Sequence, residues 1–98
     1  QYGYTYGGFN NDYAMTFQMN NDNDRGFWWG DETHTNTQGA MALTTNGKLT
    51  VASGIRVGYG ETDTVTPSAV LDVSGAATIN GTLNATRHWW NIFWYWCN

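Results

Sequence analysis

The pair Asn46-Gly47 sits between two runs rich in apolar and β-branched residues, inside Ala40 to Val57 (AMALTTNGKLTVASGIRV). Both residues tolerate positive φ, and the turns they favour have the twist that two antiparallel strands require. Two registers are open. A two-residue turn pairs Thr44 with Leu49, polar against apolar. A three-residue loop over Thr45 to Gly47, with Gly47 left-handed, pairs Leu43 with Leu49 and Met41 with Val51 on one face. Slipping a strand by one residue moves its whole face from core to solvent, so the second register is favoured.

The pattern returns downstream. Asn80-Gly81-Thr82-Leu83-Asn84-Ala85 repeats the spacing of Asn46-Gly47-Lys48-Leu49-Thr50-Val51, and Leu71-Asp72-Val73-Ser74-Gly75 is a third version of Leu49-Thr50-Val51. Recurring turn-and-strand units point to a β-rich stack in which each unit needs a neighbour to cover its apolar side. Asn46, Gly47, Asn80 and Gly81 are the structural turn residues of this scheme.

Gly, Asn and Thr are plentiful, proline occurs once and aromatics reach 16 %. Leu, Ile, Val and Phe together supply only about 16 % of the chain, a level that signals disorder when net charge is high. Here the net charge is a modest −4, and Thr, Val, Tyr and Trp suit strands. The expected class is all-β, with short strands and Asn-Gly hairpins. So thin an aliphatic supply makes a solitary core weak, and association of identical chains would cover both faces and edges. Four Lys and Arg are too few and too scattered to hold a phosphate backbone. The single Cys97 has no internal disulfide partner, which fits folding in a reducing cytosol. No charged-then-apolar leader opens the chain, and no apolar run nears the roughly 18 residues of a membrane helix. A start at Gln1 without methionine reads as a fragment of something longer.

Residues 1–39 form an aromatic, Gly-rich β segment with a polar loop. Gln1 to Asn11 reads as a loose strand broken at Gly7-Gly8. Tyr13, Met15, Phe17 and Met19 alternate with Ala14, Thr16, Gln18 and Asn20, which predicts a strand with the large side chains on one face. Asn20 to Gly26 (NNDNDRG) is expected to be a solvated turn. The alternative is a calcium loop closed near Asp31, but the glycine is one place late for an EF-hand and no glutamate closes it. Phe27-Trp28-Trp29-Gly30 reads as a short aromatic strand, and Asp31 to Gly39 as a polar loop. Trp28, Trp29, Asp31 and His34 are the candidate contacts for a glycan or receptor, because indoles stack on sugar rings and carboxylates accept their hydroxyls. The competing reading makes the tryptophans core mass. Glu32 and His34 form one conceivable acid–base pair, but without a third partner His34 reads as an exposed loop histidine.

Residues 40–86 are expected to be a repeated β-hairpin fibre segment. Ile55, Val57 and Tyr59 continue the alternation, Glu61 to Ser68 is a polar connector, Ala69 to Val73 a strand, and Ala77 to Ala85 a second hairpin. Val57-Gly58-Tyr59-Gly60, Thr66-Pro67-Ser68-Ala69, Leu71 to Gly75 and Gly81 to Ala85 together resemble a module of bacteriophage tail fibres. That module often precedes an endosialidase-type intramolecular chaperone domain. Trp28-Trp29-Gly30-Asp31, His34-Thr35-Asn36 and Gln38-Gly39-Ala40-Met41 are similar to fibre-like proteins of marine phages. The resemblance covers most of Gly26 to Ala85. It implies a homotrimer of intertwined strands, assembled in the host cytoplasm and carried on the virion, meeting a host-surface glycan or protein receptor. It transfers no catalytic residue.

Residues 87–98 (RHWWNIFWYWCN) depart from the pattern, holding Trp89, Trp90, Trp94 and Trp96. They read either as an aromatic strand or interfacial anchor, or as a non-native run. Trp has the single codon TGG, and a one-base slip would turn each Trp into Gly. No Gly-x-Ser-x-Gly elbow, paired-cysteine metal site or phosphate loop is present, so the chain is read as a non-enzyme without cofactor or metal. The expected function is a structural segment of a viral tail fibre supporting host recognition. The alternative is a stand-alone carbohydrate-binding β-sandwich module or cellular adhesin segment.

Overall fold

The computed structural model describes residues 1–86; the readings of residues 87–98, including that of Cys97, lie outside the described part. Strand and turn, with no helix, make up the regular structure of the described residues, an all-β organisation.

Strands β1 (Gly26–Trp29), β2 (Met41–Thr44) and β3 (Leu49–Val51) form one antiparallel sheet in that order. The β2–β3 hairpin pairs Met41 with Val51 and Leu43 with Leu49, the register expected from matching apolar to apolar. Its loop is Thr45 to Gly47. The Gly47 amide donates to the Thr44 carbonyl at 2.9 Å, and the Thr44 amide to the Lys48 carbonyl at 3.0 Å. Gly47 is left-handed at φ +94°, which closes a three-residue loop with a one-residue bulge. The Thr44 hydroxyl adds a bond to the Asn46 side chain. Strand β1 adds Phe27 opposite Leu43 and Trp29 opposite Met41.

Opposed residues share a face, and alternate residues along a strand share it too. One side of this sheet therefore carries two apolar rows, Phe27–Leu43–Leu49 and Trp29–Met41–Val51. The other side carries Trp28, Ala42 and Thr50. The sheet is two-faced, as a half-buried sheet should be, and its apolar side is only partly covered: Phe27, Met41, Leu43 and Val51 are half-buried, while Leu49 is 56 % exposed and Trp29 43 %.

The second sheet departs from the expected hairpin series. Strand β4 (Ile55–Val57) pairs in parallel with β5 (Leu71–Val73), in the register Ile55–Leu71, Arg56–Asp72 and Val57–Val73. Residues 58–70 supply the dozen or more residues that a parallel crossover needs. Thus Leu71-Asp72-Val73 matches Ile55-Arg56-Val57, rather than re-forming the Leu49 hairpin. No ladder surrounds Asn80-Gly81, which forms a bend, and Gly81 is not among the positive-φ glycines. One hairpin, not a repeated series, is present among the described residues.

The Tyr13–Met19 strand is also absent. Its alternation survives in inverted form, with Ala14 and Thr16 half-buried while Tyr13, Met15, Phe17 and Met19 face solvent. A period of two says which side chains share a side; it does not supply a neighbouring strand to bond. Upstream, Gly7 and Gly8 make the turn of a loop closed by a bridge between Tyr4 and Asp12, and Tyr2 meets Tyr13 edge to face at 5.0 Å.

No described residue is buried. The accessible surface is 9242 Å², against about 5,600 Å² for a compact monomer of 11.0 kDa. The Cα radius of gyration is 18.1 Å, where a compact domain of this length has about 13 Å.

Candidate functional site

The four contact candidates divide between the two sides of β1. Trp29 stands on the apolar side, its ring centroid 6.4 Å from that of Phe27, in the row with Met41 and Val51. Trp28 points to the opposite side and lies over the polar loop. The indole passes close to two glycine backbones. A methyl group at Gly30 would fall 2.6 Å from Trp28 Cη2, and one at Gly39 2.6 Å from Nε1. Only glycine leaves room for the ring at either place, so Trp28-x-Gly30 and Gly39 hold the indole as a unit. Beside it lies a cleft of about 280 Å³, lined by Trp28, Asn36, Thr37, Met41 and Thr50 among others. The ring remains 49 % exposed.

The loop is built from two consecutive tight turns. In the first, the His34 amide donates to the Asp31 carbonyl at 3.0 Å. The Asp31 amide donates back to His34 Nδ1 at 3.1 Å, which leaves the proton of a neutral imidazole on Nε2. The Asp31 carboxylate accepts from the Thr33 amide at 2.8 Å and the Thr33 hydroxyl at 2.9 Å. Those two bonds hold its pKa below the ordinary value, against a smaller opposing effect of burial. In the second turn the Gln38 amide donates to the Thr35 carbonyl, and Gln38 Oε1 accepts from the Thr35 amide. Asp31 and His34 Nδ1 are therefore committed to shaping the loop. Trp28, Asn36, Thr37 and His34 Nε2 are what that loop offers to a ligand.

Asn20 to Gly26 turns at Asn23-Asp24. Asp22 accepts from the Asn23 amide at 2.8 Å and pairs loosely with Arg25 at 3.9 Å. Thr45 ties this turn to the hairpin loop: its amide donates to the Arg25 carbonyl at 2.8 Å, and its hydroxyl accepts from the Asp22 amide at 3.3 Å. No group of three or more His, Cys, Asp or Glu among the described residues is placed to hold a metal ion.

A second cluster was not singled out by sequence reasoning. Arg56 on β4 and Asp72 on β5 are register partners, bonded from Nη1 to Oδ2 at 2.7 Å with side chains 17 % and 11 % exposed. Asp72 also accepts from the Tyr59 hydroxyl at 2.6 Å and from the Ser68 amide at 3.0 Å. Arg56 Nη2 reaches Asp63 at 3.3 Å, and its guanidinium carbon lies 3.3 Å from the Tyr59 ring centroid. Tyr59 and the Ser68 amide, joined by Arg56, hold the Asp72 pKa down to about 2 against burial. The Val65 amide and then Arg56 lower that of Asp63, again against burial. The bond to Asp72 and burial raise that of Tyr59. For Arg56 burial opposes the charge, but Asp63, Tyr59 and Asp72 together outweigh it and the pKa rises. These groups clamp β4, β5 and their connector, while Arg56 Nε is buried without a hydrogen-bond partner. The sequence signal was available: two triplets, Ile-Arg-Val and Leu-Asp-Val, with opposite charges at the same central position.

Comparison with protein-family models, curated proteins and solved structures returned no match for this chain.

Proposed function

We propose that the chain is a structural segment of a viral tail fibre or related appendage, completed by association with identical chains and offering surface loops to a host receptor. The observation that carries this reading is the exposed surface. A chain whose strands are specified as closely as the β2–β3 register leaves no described residue buried. Large apolar side chains stay open to solvent, Leu49 at 56 % and Val70 at 76 % among them. A two-stranded parallel sheet points the same way, because parallel sheets occur with both faces covered, whereas Val57 is 47 % and Leu71 63 % exposed. The resemblance of Leu71 to Gly75 and Gly81 to Ala85 to fibre modules sets the expected stoichiometry at three, with intertwined strands built in the host cytoplasm and carried on the virion. Receptor contact falls to the loop around Trp28, with a glycan or protein as its target. No catalytic role enters this reading.

Sedimentation equilibrium of the purified chain tests it. A trimer that melts cooperatively is the expected result, and a compact folded monomer refutes it. The second reading, a sugar-binding module, is favoured by the indole held against Gly30 and Gly39. It predicts a stable monomer that binds a neutral sugar.

A further inference from the structure

We infer that the face built from Phe27, Trp29, Met41, Leu43, Leu49 and Val51 is the surface on which a second copy of this chain docks. The inference rests on the self-association proposed above and assigns it to one place. The two rows are set by direct cross-strand pairing in a three-stranded sheet, so six apolar side chains point the same way. The rest of the chain covers them only in part: Phe27, Met41, Leu43 and Val51 are half-buried, while Leu49 and Trp29 stay exposed. Tyr6, Phe17 and Met19 come alongside Phe27 and Leu43 and leave an open groove, with Phe17 itself 74 % exposed.

Two observations choose a copy of this chain as the occupant. The first is the missing core: no described residue is buried, and open strand faces in a chain so poor in aliphatic mass are covered by copies of itself. The second is charge. Copies of a chain with net charge −4 repel one another, and they approach at least cost where charge is absent. Strands β1, β2 and β3 contain no charged residue, the sequences being GFWW, MALT and LTV. The β4–β5 sheet carries Arg56 and Asp72 at its centre. The larger, uncharged sheet is the surface suited to an identical partner.

Photo-crosslinking on the full chain tests the assignment. With p-benzoylphenylalanine in place of Phe27, irradiation should give covalent dimers and higher species. The same probe in place of Thr50, one residue from Leu49 on the opposite side, should give none. In parallel, Leu49→Lys should raise the dissociation constant measured by sedimentation at least about tenfold, since an unpaired charge would be buried, and Thr50→Lys should leave it near wild type. The crosslink needs no disruptive substitution, so it stands even where Leu49→Lys fails to fold. An associated wild type with crosslinks at Thr50 rather than Phe27, or with Phe27 crosslinked only within its own chain, overturns the face and leaves self-association intact. A wild type that stays monomeric overturns both.

Discussion

Replacing Gly47 by Val tests the hairpin on which the first sheet is built. Gly47 has φ +94°, beyond even the small left-handed region that other residues visit at about +50 to +70°. A Cβ built there meets nothing within 4 Å, so the cost is purely backbone strain and not a clash. Strain of this kind costs on the order of 1–3 kcal/mol, and a β-branched residue belongs in the middle of that range or above. At about 1.4 kcal/mol per factor of ten, a loss of about 2 kcal/mol reduces the closed hairpin about thirtyfold relative to its open form. Asn, which tolerates positive φ, should cost about half as much. The assay is native-state hydrogen exchange at the Thr44 amide, which donates to the Lys48 carbonyl across the loop. Gly81→Val is the matched control, for Gly81 also follows Asn yet has neither positive φ nor a neighbour within 4 Å of its Cβ. It should change stability by less than about 0.5 kcal/mol. Unchanged protection of Thr44 in Gly47→Val would refute the left-handed loop. An equal loss in Gly81→Val would show that a second hairpin forms.

Trp29→Ala should weaken self-association by about 2 kcal/mol, as loss of a central aromatic anchor does, whereas Trp28→Ala should leave sedimentation unchanged and abolish any binding of neutral sugars seen by calorimetry. The β4–β5 clamp should hold at neutral pH and fail in acid. The Asp72 pKa is lowered from 3.8 to about 2, so its contribution is full above about pH 4 and is lost as pH falls through about 2; Val57 and Val73 methyl shifts followed by NMR should report this, and Asp72→Asn should remove the transition. Gly58→Ala should destabilise the same pair by about 1–3 kcal/mol, because Gly58 has φ +85° and an added Cβ would lie 2.6 Å from the Ser74 carbonyl oxygen. Gly60→Ala, with open space around it, should unfold at wild-type denaturant concentration.

The sequence made some of this legible and hid the rest for identifiable reasons. The β2–β3 register could be read because Leu43, Leu49, Met41 and Val51 match only when the loop has three residues. Trp28 and Trp29 had to fall on opposite sides once they lay in a strand, but which side was apolar depended on the Met41 and Leu43 pairing across from them. Asn80-Gly81 looks identical to Asn46-Gly47 over its first positions, yet it lacks the Met-x-Leu run that precedes the first pair and gives a returning strand something to match. Tyr13 to Met19 has a strand's alternation and no ladder, since hydrogen-bond partners are a property of the neighbourhood. The Arg56–Asp72 pairing was missed because Leu71-Asp72-Val73 was compared with Leu49-Thr50-Val51, where the central residue is neutral. Trp28 in its glycine cradle needed Gly39, nine residues beyond Gly30 and brought near by two successive turns.

Strands β4 and β5 bond to each other and, among the described residues, to no further strand. Each therefore keeps a free rim of amide and carbonyl groups, one at either end of the pair. Such a unit has no stop of its own: whatever strand is added presents a fresh rim to the next. Length in any assembly that grows this way must be fixed from outside the pair, by a cap, by closure into a ring or by the count of repeats in the polypeptide.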